Sequence, residues 1–517
     1  MASKTLFKSI VGKLLPMTNT VNSESAPAYA FSPKHALAQF AATGCMNSTF
    51  YATAEDQLAT VLKLANQVEP EFVAKVALYS RSKGYMKDMP ALLCAVLSVR
   101  SPGLLAEVFD RVIDSPKMLR NFVQIMRSGQ VGRKSLGTLP KRLVLNWLEN
   151  RTDEQLFIGS VGNDPSLADI IKMVHPKPAT KSRQALFGYL VGREFVPNDL
   201  PAIVQAYEAF KSGASAEMPD LPFQMLTGLN LTRDNWKTLA RNASWQTTRM
   251  NLNTYARHGV FEDAQMTSLI TSKLADAESI MKARAFPYQL LAAFLNRSGF
   301  VPNEVADALQ DAMEVAVSNV PTIDGKVYIF PDVSGSMRSA VTGERKGSTS
   351  AVRCVDVAAL VTAAILRKNR NAEVIPFEEN VVQLALNSRD SVMTNAAKLG
   401  EIGGGGTNCS APLKVLNAAN AKGDLVIYVS DNESWVDAKS GRGTQTLREW
   451  QVFKSRNPNA KLVCIDLVPN GTTQAAEAAD ILNVGGFSDH VFEVIARFAE
   501  GKLATDHWVG VIEAVRI

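Results

Sequence analysis

Residues Asp332-Val333-Ser334-Gly335-Ser336 follow directly on the apolar run Lys326-Val-Tyr-Ile-Phe330. One carboxylate and two hydroxyls at alternating positions make a compact set of oxygen ligands for a hard cation. A glycine-rich stretch, Gly403-Gly-Gly-Gly406-Thr407, offers a third hydroxyl. A second apolar run, Asp424-Leu-Val-Ile-Tyr-Val429, ends in Ser430-Asp431-Asn432-Glu433 and offers a second carboxylate. Mg²⁺ takes a near-octahedral shell of oxygens and keeps several waters. Three hydroxyls, two carboxylates and an open position meet that description, and they suit capture of a ligand carboxylate better than a reaction.

The familiar catalytic patterns are missing around these residues. Gly403–Ser410 contains no lysine, so it is not a phosphate-binding loop. No G-x-S-x-G elbow surrounds Ser334, and the partner two residues after Asp332 is a serine rather than a second acid. The histidines, His35, His175, His258, His490 and His507, are far apart and form no H-E-x-x-H. A metal-activated hydrolase would need a nearby general base that the sequence does not offer. The chain is therefore expected not to be an enzyme, and no catalytic residue is assigned.

The elements that must position the ligands change character at Pro321-Thr-Ile-Asp324. Beyond it, strands at 326–330, 373–377, 424–429 and 461–467 alternate with helices near 352–368, 410–420, 444–455 and 490–500. That alternation predicts an α/β doubly wound parallel sheet, whose ligands sit at the carboxyl ends of strands. Asp332 and Asp431 both fall there. The tail, Trp508–Ile517, is expected to add a strand or pack back on the rest. From about 30 to 320 apolar residues recur at helical spacing, as in Leu58–Leu64, Ala91–Leu97 and Leu104–Ile113, broken at Ser101-Pro102-Gly103, Ser115-Pro116, Gly132 and Pro176/Pro178. Stacked helix pairs of the HEAT type are predicted, with a compact irregular helical domain as the rival. The expected domains are 1–320 and 321–517.

The Asp332–Ser336, Thr407 and Asp431 segments, in that order and each at a strand end, resemble the metal-ion-dependent adhesion site of von Willebrand factor A domains. The resemblance implies direct ligation by Ser334, Ser336 and Thr407, and ligation by Asp332 and Asp431 directly or through water. Over most of its length the chain is similar to the Ro autoantigen family. The similarity is carried by Asp332-Val-Ser-Gly-Ser-Met337, Gly406-Thr-Asn-Cys-Ser-Ala-Pro412 and Ser430-Asp-Asn-Glu433, and by Asp169–Pro178, Leu221-Pro-Phe-Gln-Met-Leu226 and Met281–Tyr288 in the helical part. That family implies an all-α, HEAT-like helical-repeat ring (the TROVE module) closed against the A domain, in a single chain. It implies single-stranded 3′ ends of misfolded RNA in the hole and small non-coding Y or Y-like RNA on a basic outer surface. It also implies a role in RNA quality control or stress survival, in some members with a tethered exoribonuclease.

Charge permits that reading. Residues 1–320 hold 34 Lys+Arg and 28 Asp+Glu, a net of +6, and residues 321–517 hold 21 and 22, a net of −1. A polyanion-binding face therefore belongs on the N-terminal part. Basic residues cluster as Arg81, Lys83 and Lys87, as Arg133, Lys134, Lys141 and Arg142, and as Lys172, His175, Lys177, Lys181 and Arg183. Arg241, Arg249 and Arg257 mix with Trp245 and Tyr255, although core packing is the simpler reading of either ring. Phosphate contacts of this kind give salt-dependent affinity without base specificity. The competing reading is a Mg²⁺-dependent protein-interaction scaffold. Five scattered cysteines without C-x-x-C spacing fit a reducing cytosol. The N-terminal residues show no secretion signal, and no 18-residue apolar run indicates a membrane span, so a cytoplasmic location is expected.

Overall fold

Hydroxyl caps and prolines start the helices at the breaks seen in the sequence. Ser115 accepts from the Met118 amide with Pro116 in the first turn, and Thr152 with Gln155 and Ser166 with Asp169 close reciprocal capping boxes. Such caps satisfy amides that have no partner inside the helix. The resulting helices include Pro33–Thr43, Ala54–Gln67, Pro70–Ser82, Asp88–Arg100, Pro102–Val112, Pro116–Ser128 and Thr138–Glu149, and the series runs on to Asn303–Ala316. The computed structural model describes residues 15–283, 287–318, 320–343, 352–439, 442–503 and 507–517. The Met1–Lys8 reading and residues 284–286 of the Met281–Tyr288 stretch lie outside them.

The N-terminal unit departs from the expected all-helical 1–320. Thr20–Val21 (β1) and Pro27–Ala30 (β2) form an antiparallel hairpin whose turn is closed by Asn22, its Oδ1 accepting from the Ala26 amide at 2.9 Å. A two-stranded ribbon still needs a partner for its free edge. Thr472–Thr473 (β7) supplies it, pairing with Ala30 and Tyr29. The hairpin thus packs with the C-terminal domain rather than with the helices.

In that domain, Val327–Pro331 (β3), Glu373–Val374 (β4), Leu425–Ser430 (β5), Lys461–Asp466 (β6) and Ile481–Gly485 (β8) form a parallel sheet in the order β4-β3-β5-β6-β8. β8 was not expected, and β4 is shorter than 373–377. Pro376 offers no amide, which restricts it to a sheet edge. Successive residues face opposite ways. Tyr328, Phe330, Val426 and Tyr428 pack with Leu413, Leu447, Trp450 and Phe453, beneath helices Ala411–Ala418 and Gln445–Arg456. Val327, Ile329, Leu425 and Ile427 join a core that continues without interruption into the helical array. Helices Cys354–Lys368 and Val392–Gly400 cover that face and contact Pro287–Leu295 and Asn303–Ala316, the last helices of the array. The first, Pro33–Thr43, contacts β8 and the C-terminal helix His507–Glu513. The tail therefore packs back as a helix. The array begins and ends on the same domain, which closes it.

Candidate functional site

In a parallel sheet of this order the strand connections part on opposite faces between β3 and β5, and the crevice at their carboxyl ends is the place for a ligand. Asp332 follows β3 there and Asp431 follows β5. Both are buried, together with Ser334, Ser336 and Thr407. The Asp332 amide donates to the Val429 carbonyl at 3.0 Å, so the turn leaves the strand with the ladder still paired. Asp332 Oδ1 accepts from the Ser334 amide at 2.9 Å and Oδ2 from Ser430 Oγ at 2.6 Å. Ser336 lies beside the Asp431 carboxylate, and the Ser334 and Ser336 hydroxyls are 3.3 Å apart.

The glycine-rich loop is pressed against this turn. The Gly335 amide donates to the Gly405 carbonyl at 2.8 Å. Gly403 has φ +82°, and a Cβ there would lie 2.2 Å from the Val333 carbonyl oxygen, so only glycine fits. The Thr407 carbonyl accepts from the Trp435 and Val436 amides at 3.1 and 3.2 Å, which ties the loop to the segment after Asp431. The three segments singled out in the sequence thus meet at one place.

Electrostatics there favours a cation. Burial pushes the Asp332 and Asp431 carboxyls up from the usual carboxylate range, and Asp332 raises Asp431 further. Burial also raises Glu433 to about 7, and Asp466 is pushed up by burial and by Glu433 and Asp431. No ion pair among the described residues engages any of these four acids. Buried carboxylates without a positive partner are costly, and a divalent cation would supply the missing charge. The described residues hold no group of three or more His, Cys, Asp and Glu placed to bind a metal, so a cation here would need hydroxyl oxygens as well. Asp332, Ser334, Ser336, Thr407 and Asp431 are the oxygens available, a donor set that suits Mg²⁺. Sequence reading missed Tyr51 and Glu433. Glu433 stood within the quoted Ser-Asp-Asn-Glu stretch, whereas nothing local marked Tyr51, which reaches Ser336 from the helical part.

The basic residues divide by environment. Lys83, Lys87, Lys134, Arg142, Lys172, His175, Lys177, Lys181, Arg241 and Arg257 are exposed, and Arg133 and Lys141 are half-buried. Three expected contacts are instead engaged inside the protein. Arg81 pairs with Asp114 at 2.7 Å and donates to the Met86 carbonyl. Arg183 pairs with Asp153 and donates to the Leu148 and Arg151 carbonyls at 3.1 and 2.6 Å. Arg249 is buried and donates to the Gln289 carbonyl at 2.7 Å, and burial lowers it to about 10. A guanidinium offers five donors, and helix-end carbonyls recruit them. Trp245 and Tyr255 are core residues, with the Trp245 indole donating to the Leu274 carbonyl.

Of the exposed set, Arg142, Lys172 and Lys181 lie on three neighbouring helices, Thr138–Glu149, Leu167–Val174 and Lys181–Val191, the middle one touching both others, and Lys134, His175 and Lys177 lie in the adjoining loops and cap. His175 caps the middle helix at φ +52°, a left-handed conformation that ends the helix just before Pro176. No ion pair among the described residues engages Lys134, Arg142, Lys177 or Lys181.

Residues 326–499 match the family described as the Ro60 vWA domain. The chain is 25% identical over 520 residues to the RNA-binding protein RO60 of Deinococcus radiodurans, covering 93% of this chain and 95% of that one. It is 23% identical over 252 residues to the RNA-binding protein RO60 of Caenorhabditis elegans, covering 47% of this chain and 38% of that one. The crystal structure of the Deinococcus radiodurans RO (RSR) protein superposes with a TM-score of 0.62 at 22% identity, covering 91% of this chain and all of that one, and it shares the fold. A helical array closed on an A domain that matches the Ro60 vWA family, with similarity along nearly the whole length of a bacterial RO60, makes this chain similar to the Ro proteins over most of its length.

Proposed function

We propose that this chain is an RNA-binding protein without a catalytic role. Small structured non-coding RNA of the Y or Y-like kind lies on the basic face of residues 133–181, and single-stranded 3′ ends of misfolded RNA enter the hole of the closed array. The chain then serves RNA quality control or stress survival, with an exoribonuclease as a fitting partner. The observation that carries the reading is the exposure of Lys134, Arg142, Lys172, His175, Lys177 and Lys181 on and beside three neighbouring helices. Lysines left in solvent suit a sugar–phosphate backbone and do not choose among bases. The A domain holds a divalent cation, Mg²⁺, on Asp332, Ser334, Ser336, Thr407 and Asp431. The reading assigns these residues no reaction.

The test is binding of a hairpin RNA with a single-stranded 3′ tail across a salt series. Changing Lys172, His175 and Lys177 together to Ala should weaken binding about tenfold and lower the salt slope by about 2. Absence of binding at low salt would refute the reading.

One observation favours a second role. Trp435 and Val436 are 43% and 38% exposed beside Thr407, an apolar rim on the cation site. Such a rim suits a partner protein that presents a carboxylate to the metal. That role predicts partner capture in Mg²⁺, release in EDTA, and loss in Ser334→Ala with RNA binding intact.

A further inference from the structure

The cation face is not made by the C-terminal domain alone. Side chains from the first 51 residues reach it at several points. Tyr51 lies beside Ser336, itself an expected ligand. Ser23 sets its amide 2.8 Å and its hydroxyl 3.3 Å from the Glu433 carboxylate, two residues beyond Asp431. Gln39 donates to Asp466, which stands beside Ser430 in the β5–β6 register. A Cβ at Gly485 would overlap Gln39 Oε1, so that side chain is driven into the sheet end. Asn22 donates to the Ser434 carbonyl at 2.8 Å, and Asn47 to the Thr342 carbonyl at 2.9 Å.

We propose that Tyr51 and the β1–β2 hairpin complete the cation site from outside the A domain, so that cation occupancy and docking of residues 15–51 form one coupled equilibrium. The inference rests on the cation reading given above and extends it to positioning residues from the helical side. A cation bound by Ser336 and Asp431 fixes Ser336, beside which Tyr51 lies, and the Asp431–Glu433 segment, which Ser23 holds. Whatever the docked segment adds to cation affinity, the cation adds to docking. Helix Pro33–Thr43 is also the first helix of the closed array, so the same equilibrium bears on closure.

The test uses the full chain with Mg²⁺ alone, by calorimetric titration and by amide hydrogen exchange. Tyr51→Phe keeps the ring that packs edge-on against Phe50 at 4.8 Å and removes only the hydroxyl. It should weaken Mg²⁺ about tenfold, the effect of losing an outer-shell partner. In the unaltered chain Mg²⁺ should slow exchange over 20–30 and 45–53, and Asp431→Asn should abolish that slowing. Equal Mg²⁺ affinity in both chains, with exchange over 15–51 unmoved, would overturn the coupling and leave the cation site standing. Failure of the unaltered chain to bind Mg²⁺ would overturn both.

Discussion

The carboxyl ends of β3 and β5 and the surface of the helices between 138 and 191 treat charge in opposite ways. At the strand ends the charge is negative, buried and confined to a few side chains. On the helices it is positive, exposed and spread over many. Concentrated buried charge makes each residue indispensable, because the unpaired remainder cannot be solvated. Dispersed exposed charge makes each residue replaceable, because every phosphate contact adds a similar small increment. The first arrangement suits one small ligand held in fixed geometry. The second suits a long polyanion bound in many registers.

The contrast would break at its sharpest point if Asp332→Ala left cation binding intact. It should lower Mg²⁺ affinity by at least about 100-fold, measured by titration, and leave RNA affinity within about twofold. Next in size, Gly403→Ala should destabilise the domain by about 2 kcal/mol in denaturant unfolding, because φ +82° and the Val333 carbonyl both oppose a side chain. Within the basic region, Arg183→Ala and Lys181→Ala should separate. Arg183 binds Asp153 and two carbonyls, so its loss should cost about 2 kcal/mol of stability. Lys181 is exposed, so its loss should leave stability within about 0.5 kcal/mol and act only on RNA affinity. Equal behaviour of the two would erase the distinction between structural and RNA-facing basic residues.

How far each region could be read in advance follows from the same physics. Asp332 and Asp431 were legible because each follows the end of an apolar run, and strand order alone brings such ends together, whereas Thr407 was marked by the glycine stretch before it and lies in the loop between helices Val392–Gly400 and Ala411–Ala418 rather than at a strand end. The capped helices were legible because Ser115-Pro116 and Ser166-Leu-Ala-Asp169 carry their own start signals. β8 escaped because Ile481-Leu-Asn-Val-Gly485 is short, with a polar residue at its centre and a glycine at its end. Arg183 and Arg249 could not be told from solvent-facing arginines, since their acceptors are backbone carbonyls 32 to 40 residues away in sequence. Tyr51, Ser23 and Gln39 reach the cation face only because the array closes on the A domain. That is a tertiary event with no local trace.

The most direct measurement is the nucleic acid content of the protein purified from its own host at low salt, with sequencing of whatever is bound. The account predicts a discrete small structured RNA that high salt displaces and that is lost when Lys172, His175 and Lys177 are changed to Ala. A nucleic-acid-free protein, carrying instead a protein partner held in Mg²⁺ and released in EDTA, would contradict it.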